Sequence, residues 1–298
     1  MKAKRQLGRV LPYELMLLPS LAGFILCFVI PFFWTINYSF TDWNGLSPEF
    51  NYIGFRNYPE VFQDERILSA LTNTLWFAFV TTIFQNGLAL PLALALDAKI
   101  KSKNVLRTIF FMPVVFSPLV IGYLWSYILS SSDGGLLNSI LNGVGLQSWT
   151  QSWLGNPSLA LNSVIAVALW QSVGWSMVIF VANLQGIPAD LYESASIDGA
   201  TGWKKFRYIT FHLLAPSFTI NLVITMINGL KVFDHVVALT NGGPGFATET
   251  MTTTIIYYAF TGGSFGYAST LAVIMFAIIA VISVIQLRIL LRKEASIG

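Results

Sequence analysis

Few residues in this 298-residue chain could do chemistry, and the most telling of them fall inside apolar runs that offer a polar group no partner. Lys231, Asp234 and His235 lie close together in one such run. A lysine near the middle of a bilayer costs about 2.5–3.5 kcal/mol, so it faces a partner or a wet cavity. Asp234 is three residues on, which predicts that it shares a helical face with Lys231. The pair then either neutralises itself and orients the helix, or lines a pathway. His235 reads as a packing histidine. Upstream, Asn221, Thr225 and Asn228 recur at i, i+4 and i+7, with Gly229 and Val232 beside them. In the preceding apolar run Gln171 and Trp175 stand at i and i+4, next to Ser172. Amides and hydroxyls suit the hydroxyls of a sugar ring, and an indole suits its apolar face. The same residues would serve as interhelical hydrogen bonds, worth about 0.6 kcal/mol each.

Reactive constellations are missing. The chain has no Gly-x-x-x-x-Gly-Lys-Ser/Thr loop for binding nucleotide phosphates and no His-Glu-x-x-His. Two histidines, one of them on a polar loop, and the single Cys27 make a metal cluster or an intrachain disulfide a poor expectation. No catalytic residue is assigned, and no basic patch with interleaved aromatics points to nucleic acid.

The elements that must position these residues are membrane spans. Hydrophobic residues make up 55% of the chain and charged residues 10%, with a mean hydropathy of +0.65. This is the composition of an all-α polytopic membrane protein. Six runs are long enough to cross about 30 Å of hydrocarbon: roughly Leu15 to Phe40, Ser69 to Leu96, Thr108 to Ser130, Leu159 to Gln185, Ser217 to Leu239 and Tyr267 to Leu290. The first follows Lys2, Lys4, Arg5 and Arg9 but is too long for a signal peptide and lacks an Ala-x-Ala site, so it is expected to be retained. Residues 1–14 and 291–298 flank a six-helix domain over 15–290. Pro91, Pro113 and Pro118 read as kinks, Asn57 to Gln63 as a short outer helix, and Asp133-Gly134-Gly135 as a turn.

Charge sets the orientation. Both ends, the loop after the second span and the loop after the fourth must share one side, and they carry fourteen of the seventeen basic residues. Arg56 and Arg66 are on the other side, and the remaining basic residue is Lys231. The positive-inside rule therefore places both termini and the loop over 187–216 in the cytoplasm.

That loop, LYESASIDGATGWKKFRYITFHLLAP from Leu191 to Pro216, is the one strongly polar stretch between two long spans. Pro188 suits a first helical turn, Asp190 and Glu193 sit near the positive end of that helix, and Gly199 supplies a left-handed C-terminal position. A second helix is predicted from Trp203 towards His212. Small residues at Ser194, Ala195, Ser196 and Ala200 leave one face bare enough to lie in a groove on another protein.

The run Glu193-Ser194-Ala195, with Asp198-Gly199-Ala200 behind it, resembles the EAA loop of ABC importer permeases. Phe233-Asp234, then Leu239-Thr240-Asn241-Gly242-Gly243-Pro244, Thr248, Tyr257 to Phe260 and Phe265-Gly266-Tyr267-Ala268-Ser269 resemble the carbohydrate subfamily, closest to its maltose-type and glycerol-phosphate-type members. Pro12-Tyr13, Tyr52 to Tyr58 and Asn73-Thr74 extend the likeness over nearly the whole chain. It implies a type I permease fold in the inner membrane of a bacterium, with Glu193, Ser194, Ala195, Asp198, Gly199 and Ala200 docking on an ATPase. It also implies a sugar path along Gln171, Trp175, Asn221, Thr225, Asn228, Lys231 and Asp234. The partners it implies are a second permease, two ATPase subunits that hold ATP and magnesium, and an extracytoplasmic solute-binding protein; this subunit holds no cofactor itself. Two departures stand out. Ser194 replaces the usual alanine, and His212 stands where many members have a proline, leaving Pro216 to set the exit into the fifth span. A proton-coupled transporter built on Lys231, Asp234 and His235 is the alternative, although no internal repeat of helices supports it.

Overall fold

A computed structural model describes residues 16–98, 100–131 and 135–295. The basic N-terminal segment with Pro12-Tyr13, Lys99, the turn at Asp133 and Gly134, and the end of the C-terminal tail lie outside the described residues. Among the described residues, four helices are long and apolar enough to cross a membrane, or up to six if each of two bent pairs counts as one span.

The described helices are α1 (Met16–Tyr38), α2 (Asn57–Val61), α3 (Glu65–Asp97), α4 (Lys103–Val115), α5 (Pro118–Ile128), α6 (Leu136–Gly143) and α7 (Pro157–Leu184). They continue as α8 (Ala189–Ile197), α9 (Gly202–Leu213), α10 (Ala215–Leu230), α11 (Asp234–Leu239), α12 (Met251–Ile256) and α13 (Phe265–Ala295). Local sequence explains the starts of two of the longest. The Asp64 carboxylate accepts from the backbone N–H of Arg66 at 2.9 Å and caps α3. Asn156 does the same for α7 through Ser158 at 3.0 Å, with Pro157 in the first turn, where a missing N–H costs nothing.

The chain divides into two compact units. One comprises Met1–Gln63 and Ile255–Phe276. Within it Asn57 donates to the carbonyls of Ser39 and Thr41, both at 3.1 Å, and Thr270 donates to Ser39 at 2.9 Å. Tyr38, Trp43 and Phe265 stack there with ring centroids 4.3–6.3 Å apart.

The other unit, Asp64–Thr254 and Ala277–Gly298, holds the polar residues singled out above. Its packing inverts that of a soluble helix. The buried stripe of α3 is small and polar, including Ala70, Thr74, Ala78, Thr81, Gln85, Asn86 and Ala93, whereas Leu75, Trp76, Phe79 and Phe84 are exposed. Small residues let backbones approach closely where lipid supplies no hydrophobic drive between helices. Gly229 of α10 is the limiting case, since a Cβ there would lie 2.6 Å from the Ala78 Cα. Val164, Val167 and Phe77 anchor one apolar cluster, and Met177, Phe180 and Leu214 a second.

Two expected continuous spans are broken. The run from Thr108 to Ser130 forms α4 and α5, which meet at 98°. Ser117 precedes Pro118, and proline pushes the residue before it out of the helical region; Ser117 has ψ 135°. The run from Ser217 to Leu239 stops at Leu230 and resumes at Asp234, with Phe233 at φ −140°, ψ −61°. Lys231 and Asp234 therefore do not share one helix face, and no ion pair joins them among the described residues. Non-helical backbone at membrane depth is tolerated where it lines a cavity, and here it does.

Candidate functional site

Helices α3, α7 and α10 and the two breaks line an open cavity of about 480 Å³. Six of the seven residues expected along a sugar path line it: Gln171 and Trp175 from α7, Thr225 and Asn228 from α10, and Lys231 and Asp234 at the break. The seventh, Asn221, does not. It is fully buried two turns before Asn228 and donates to the Ser176 carbonyl at 3.4 Å, so it packs α10 against α7.

The lining residues differ in what they leave free. Gln171 is 5% exposed and has both ends of its amide engaged. Thr225 accepts from Asn86 at 3.2 Å and donates to the Asn221 carbonyl at 2.7 Å. Trp175 is 46% exposed and Asn228 is exposed. Among the described residues Lys231 and Asp234 make no ion pair, so ammonium and carboxylate face the cavity with unspent hydrogen-bonding capacity. His235 also lines the cavity and bonds Gln171 at 2.8 Å, which gives the packing histidine its partner.

Sequence reasoning missed the contribution of α3. Gln85 lines the cavity and donates to the Ser172 carbonyl at 3.1 Å and to the Ser176 hydroxyl at 2.9 Å, while Ser172 donates back to its amide oxygen at 3.1 Å. The signal was present: Gln85-Asn86 is a pair of amides inside a 33-residue helix that is otherwise largely apolar.

The polar loop folds as two helices. Ala189–Ile197 ends in a full Schellman motif, in which Ala200 N–H bonds the Ala195 carbonyl at 2.8 Å and Gly199 N–H bonds that of Ser196 at 3.1 Å. Gly199 sits at φ +72°, with nothing within 4 Å of a Cβ placed there, so the backbone conformation alone selects glycine. The Tyr192 hydroxyl meets that of Thr210 at 2.9 Å and holds α8 against α9. Glu193, Ser194 and Asp198 are exposed and Ala195 and Ala200 half-buried. Around them Ile197 at 87%, Trp203 at 71% and Tyr208 at 71% are bare apolar surface. The exit is sharp, since α9 and α10 meet at 62° at Leu214 with Pro216 in the first turn of α10.

Residues 85–295 match the family described as binding-protein-dependent transport system inner membrane component. The chain is 36% identical over 95% of its length, and 94% of the relative's, to the probable starch degradation products transport system permease protein AmyD of Thermoanaerobacterium thermosulfurigenes. It is 32% identical to the multiple sugar-binding transport system permease protein MsmF of Streptococcus mutans, over 89% of this chain and 90% of that one. Its fold matches a chain of the crystal structure of a bacterial alginate ABC transporter in complex with an alginate pentasaccharide-bound periplasmic protein. The TM-score there is 0.83 at 23% identity, covering 96% of both chains. With its helical fold, its apolar helices and its matched region, the chain belongs to the binding-protein-dependent transport system inner membrane components, the non-catalytic permease subunits of ABC transporters.

Proposed function

We propose that this permease imports a carbohydrate and that the sugar passes the cavity between α3, α7 and α10. One observation carries the reading: an exposed indole, a free amide, an ammonium and a carboxylate converge on a cavity of about 480 Å³. The size is that of a small-molecule site, and the groups are those that hold sugar hydroxyls and one apolar sugar face. The relatives named for starch degradation products and multiple sugars support the same substrate class.

With α1, α3, the bent pair α4–α5, α7, α10 and α13 taken as the six crossings, the positive-inside rule puts both termini and the α8–α9 loop in the cytoplasm of the cell that carries this inner-membrane protein. The positions that test this are exposed ones. In a Cys27-free background, cysteine at Glu49 or Gln151 should react with a membrane-impermeant thiol reagent added outside, and cysteine at Ser102 or Thr201 should not. Labelling of Ser102→Cys from outside would overturn the topology.

In the assembled importer a second permease with its own coupling loop completes the pore, two ATPase subunits hold ATP and magnesium, and an extracytoplasmic binding protein delivers the sugar. The alginate transporter, solved with its periplasmic protein, supports that last partner. Closure of the ATPase pair pulls on the loop around Glu193 and shifts the helices between outward and inward access. Each partner drives the shift by contacting the two states unequally. The bare apolar side chains Ile197, Trp203 and Tyr208, beside the small residues of α8, are the surface offered to the ATPase.

The loop is tested at Gly199. A valine there strains the left-handed position by roughly 1–2 kcal/mol, while its Cβ has no neighbour within 4 Å in this subunit. Its expected effect is therefore on the shape of the loop, seen as loss of ATPase copurification and of substrate-stimulated hydrolysis. Normal values for both would remove the loop from the coupling path.

A further inference from the structure

The buried amide of Gln171 stands out in the cavity wall because it joins two backbone breaks rather than facing the open space. Its Nε2 donates to the Phe116 carbonyl at 2.9 Å, and its Oε1 meets His235 Nε2 at 2.8 Å. Phe116 closes α4 in extended conformation, at the 98° bend that leads into α5. His235 is the second residue of α11, just after the break at 231–233. A carbonyl can only accept, so the Phe116 contact fixes which end of the amide is nitrogen. The oxygen then faces the imidazole, which must carry its proton on Nε2.

The two helices that start at these breaks pack as a pair. Val236 and Leu239 of α11 share an apolar cluster with Ile121 of α5 and Leu129, the residue that caps its C-terminal end. A Cβ on Gly122 would collide with that of Ala238, so the helices have no slack between them. Gln171, projecting from α7, holds the N-terminal end of each. We propose that Gln171 is a positioning residue: its amide is a strut that pins the α5–α11 pair to α7 and thereby sets where the Lys231–Asp234 backbone presents its side chains to the cavity. The consequence for transport rests on the sugar-path reading above, but the strut itself is testable without any substrate.

The test is a distance between spin labels at Tyr123→Cys on α5 and Ala166→Cys on α7, both exposed positions, in the Cys27-free, fully assembled complex. Gln171→Leu keeps the volume and loses both bonds; it should broaden the distribution and move its mean by about 1–2 Å, the scale of helix shifts at packed interfaces. His235→Leu should move it in the same direction, and adding Gln171→Leu to it should have a smaller effect than in the wild type, because the two residues act through one bond. His235→Gln, which can still donate from the Nε2 position, should restore the narrow wild-type distribution in an assembled complex. A distribution unchanged by Gln171→Leu, or effects of Gln171→Leu and His235→Leu that simply add, would overturn the strut. Neither result depends on which sugar is carried, so failure here leaves the sugar path standing, and failure of the sugar path leaves the strut intact.

Discussion

Arg66→Met is expected to destabilise the purified permease by about 3–5 kcal/mol, because it strips the counter-charge from a carboxylate that has little access to water. The Arg66 guanidinium grips Glu249 with two bonds, Nε to Oε2 at 2.7 Å and Nη2 to Oε1 at 2.6 Å. The two side chains are only 17% and 10% exposed, and the guanidinium also stacks 4.4 Å over the Phe246 ring. The pair belongs to a larger seam that fastens the segment after α11 to the first turns of α3. Asn73 donates to the carbonyls of Ala247 and Glu249 at 3.1 and 2.9 Å, and the Thr74 hydroxyl accepts from Met251 N–H at 2.8 Å. Thermal unfolding of Arg66→Met in detergent should show the loss, whereas the double variant Arg66→Met, Glu249→Gln should recover most of it, since removing both charges removes the uncompensated one. If the single variant melts like wild type, the pair contributes no more than an exposed ion pair does.

Neither this clamp nor the seam around it is visible in sequence, although the long helix it fastens, α3, is. Apolar runs located α3 and α7 to within a few residues, because a continuous stretch of hydrocarbon side chains is itself the physical requirement for crossing a bilayer. What hydropathy cannot register is a change of backbone direction inside such a run. Around Phe116 the run stays largely apolar, and around the second break only Lys231, Asp234 and His235 interrupt it, so averaged hydropathy gives one long span and two meeting at an angle much the same profile. Pro118 announced the first break but was read as a kink. The second has no proline, and it left Lys231 and Asp234 assigned to a helix face that does not exist.

The loop was more legible than the cavity, for a local reason. A C-terminal glycine cap depends on residues a few positions apart, so the left-handed Gly199 followed from sequence. Cavity residues depend on which helices pack together. Periodicity on α10 selected Asn221, Thr225 and Asn228 as one stripe, but only the packing of α7 against α10 separates the buried Asn221 from the exposed Asn228. Gln85 was passed over because its helix is distant in sequence from the loop, although it lies beside Ser172 in space.

Trp175→Ala and Asn228→Ala are the variants expected to weaken transport most without loosening the protein. Both side chains are exposed to the cavity, and neither takes part in the Gln85–Ser172 or Asn86–Thr225 hydrogen bonds that hold α3 to its neighbours. Their loss should therefore leave assembly with the ATPase and basal ATP hydrolysis near wild type. Removing a polar contact or a stacking face from a bound sugar costs roughly 1–3 kcal/mol, which weakens binding by about fivefold to more than a hundredfold. Asn221→Ala separates this from a general effect on the polar stripe: it breaks a buried contact between α10 and α7 and should lower the melting temperature while changing the apparent affinity for sugar little. Uptake kinetics of the cognate sugar in the assembled transporter, beside thermal melts of the same three variants, supply both readouts. Unchanged uptake in Trp175→Ala and Asn228→Ala together would move substrate recognition out of this cavity, to the second permease or the binding protein. Reduced uptake tracking melting temperature across all three would reduce the stripe to interhelical bonding.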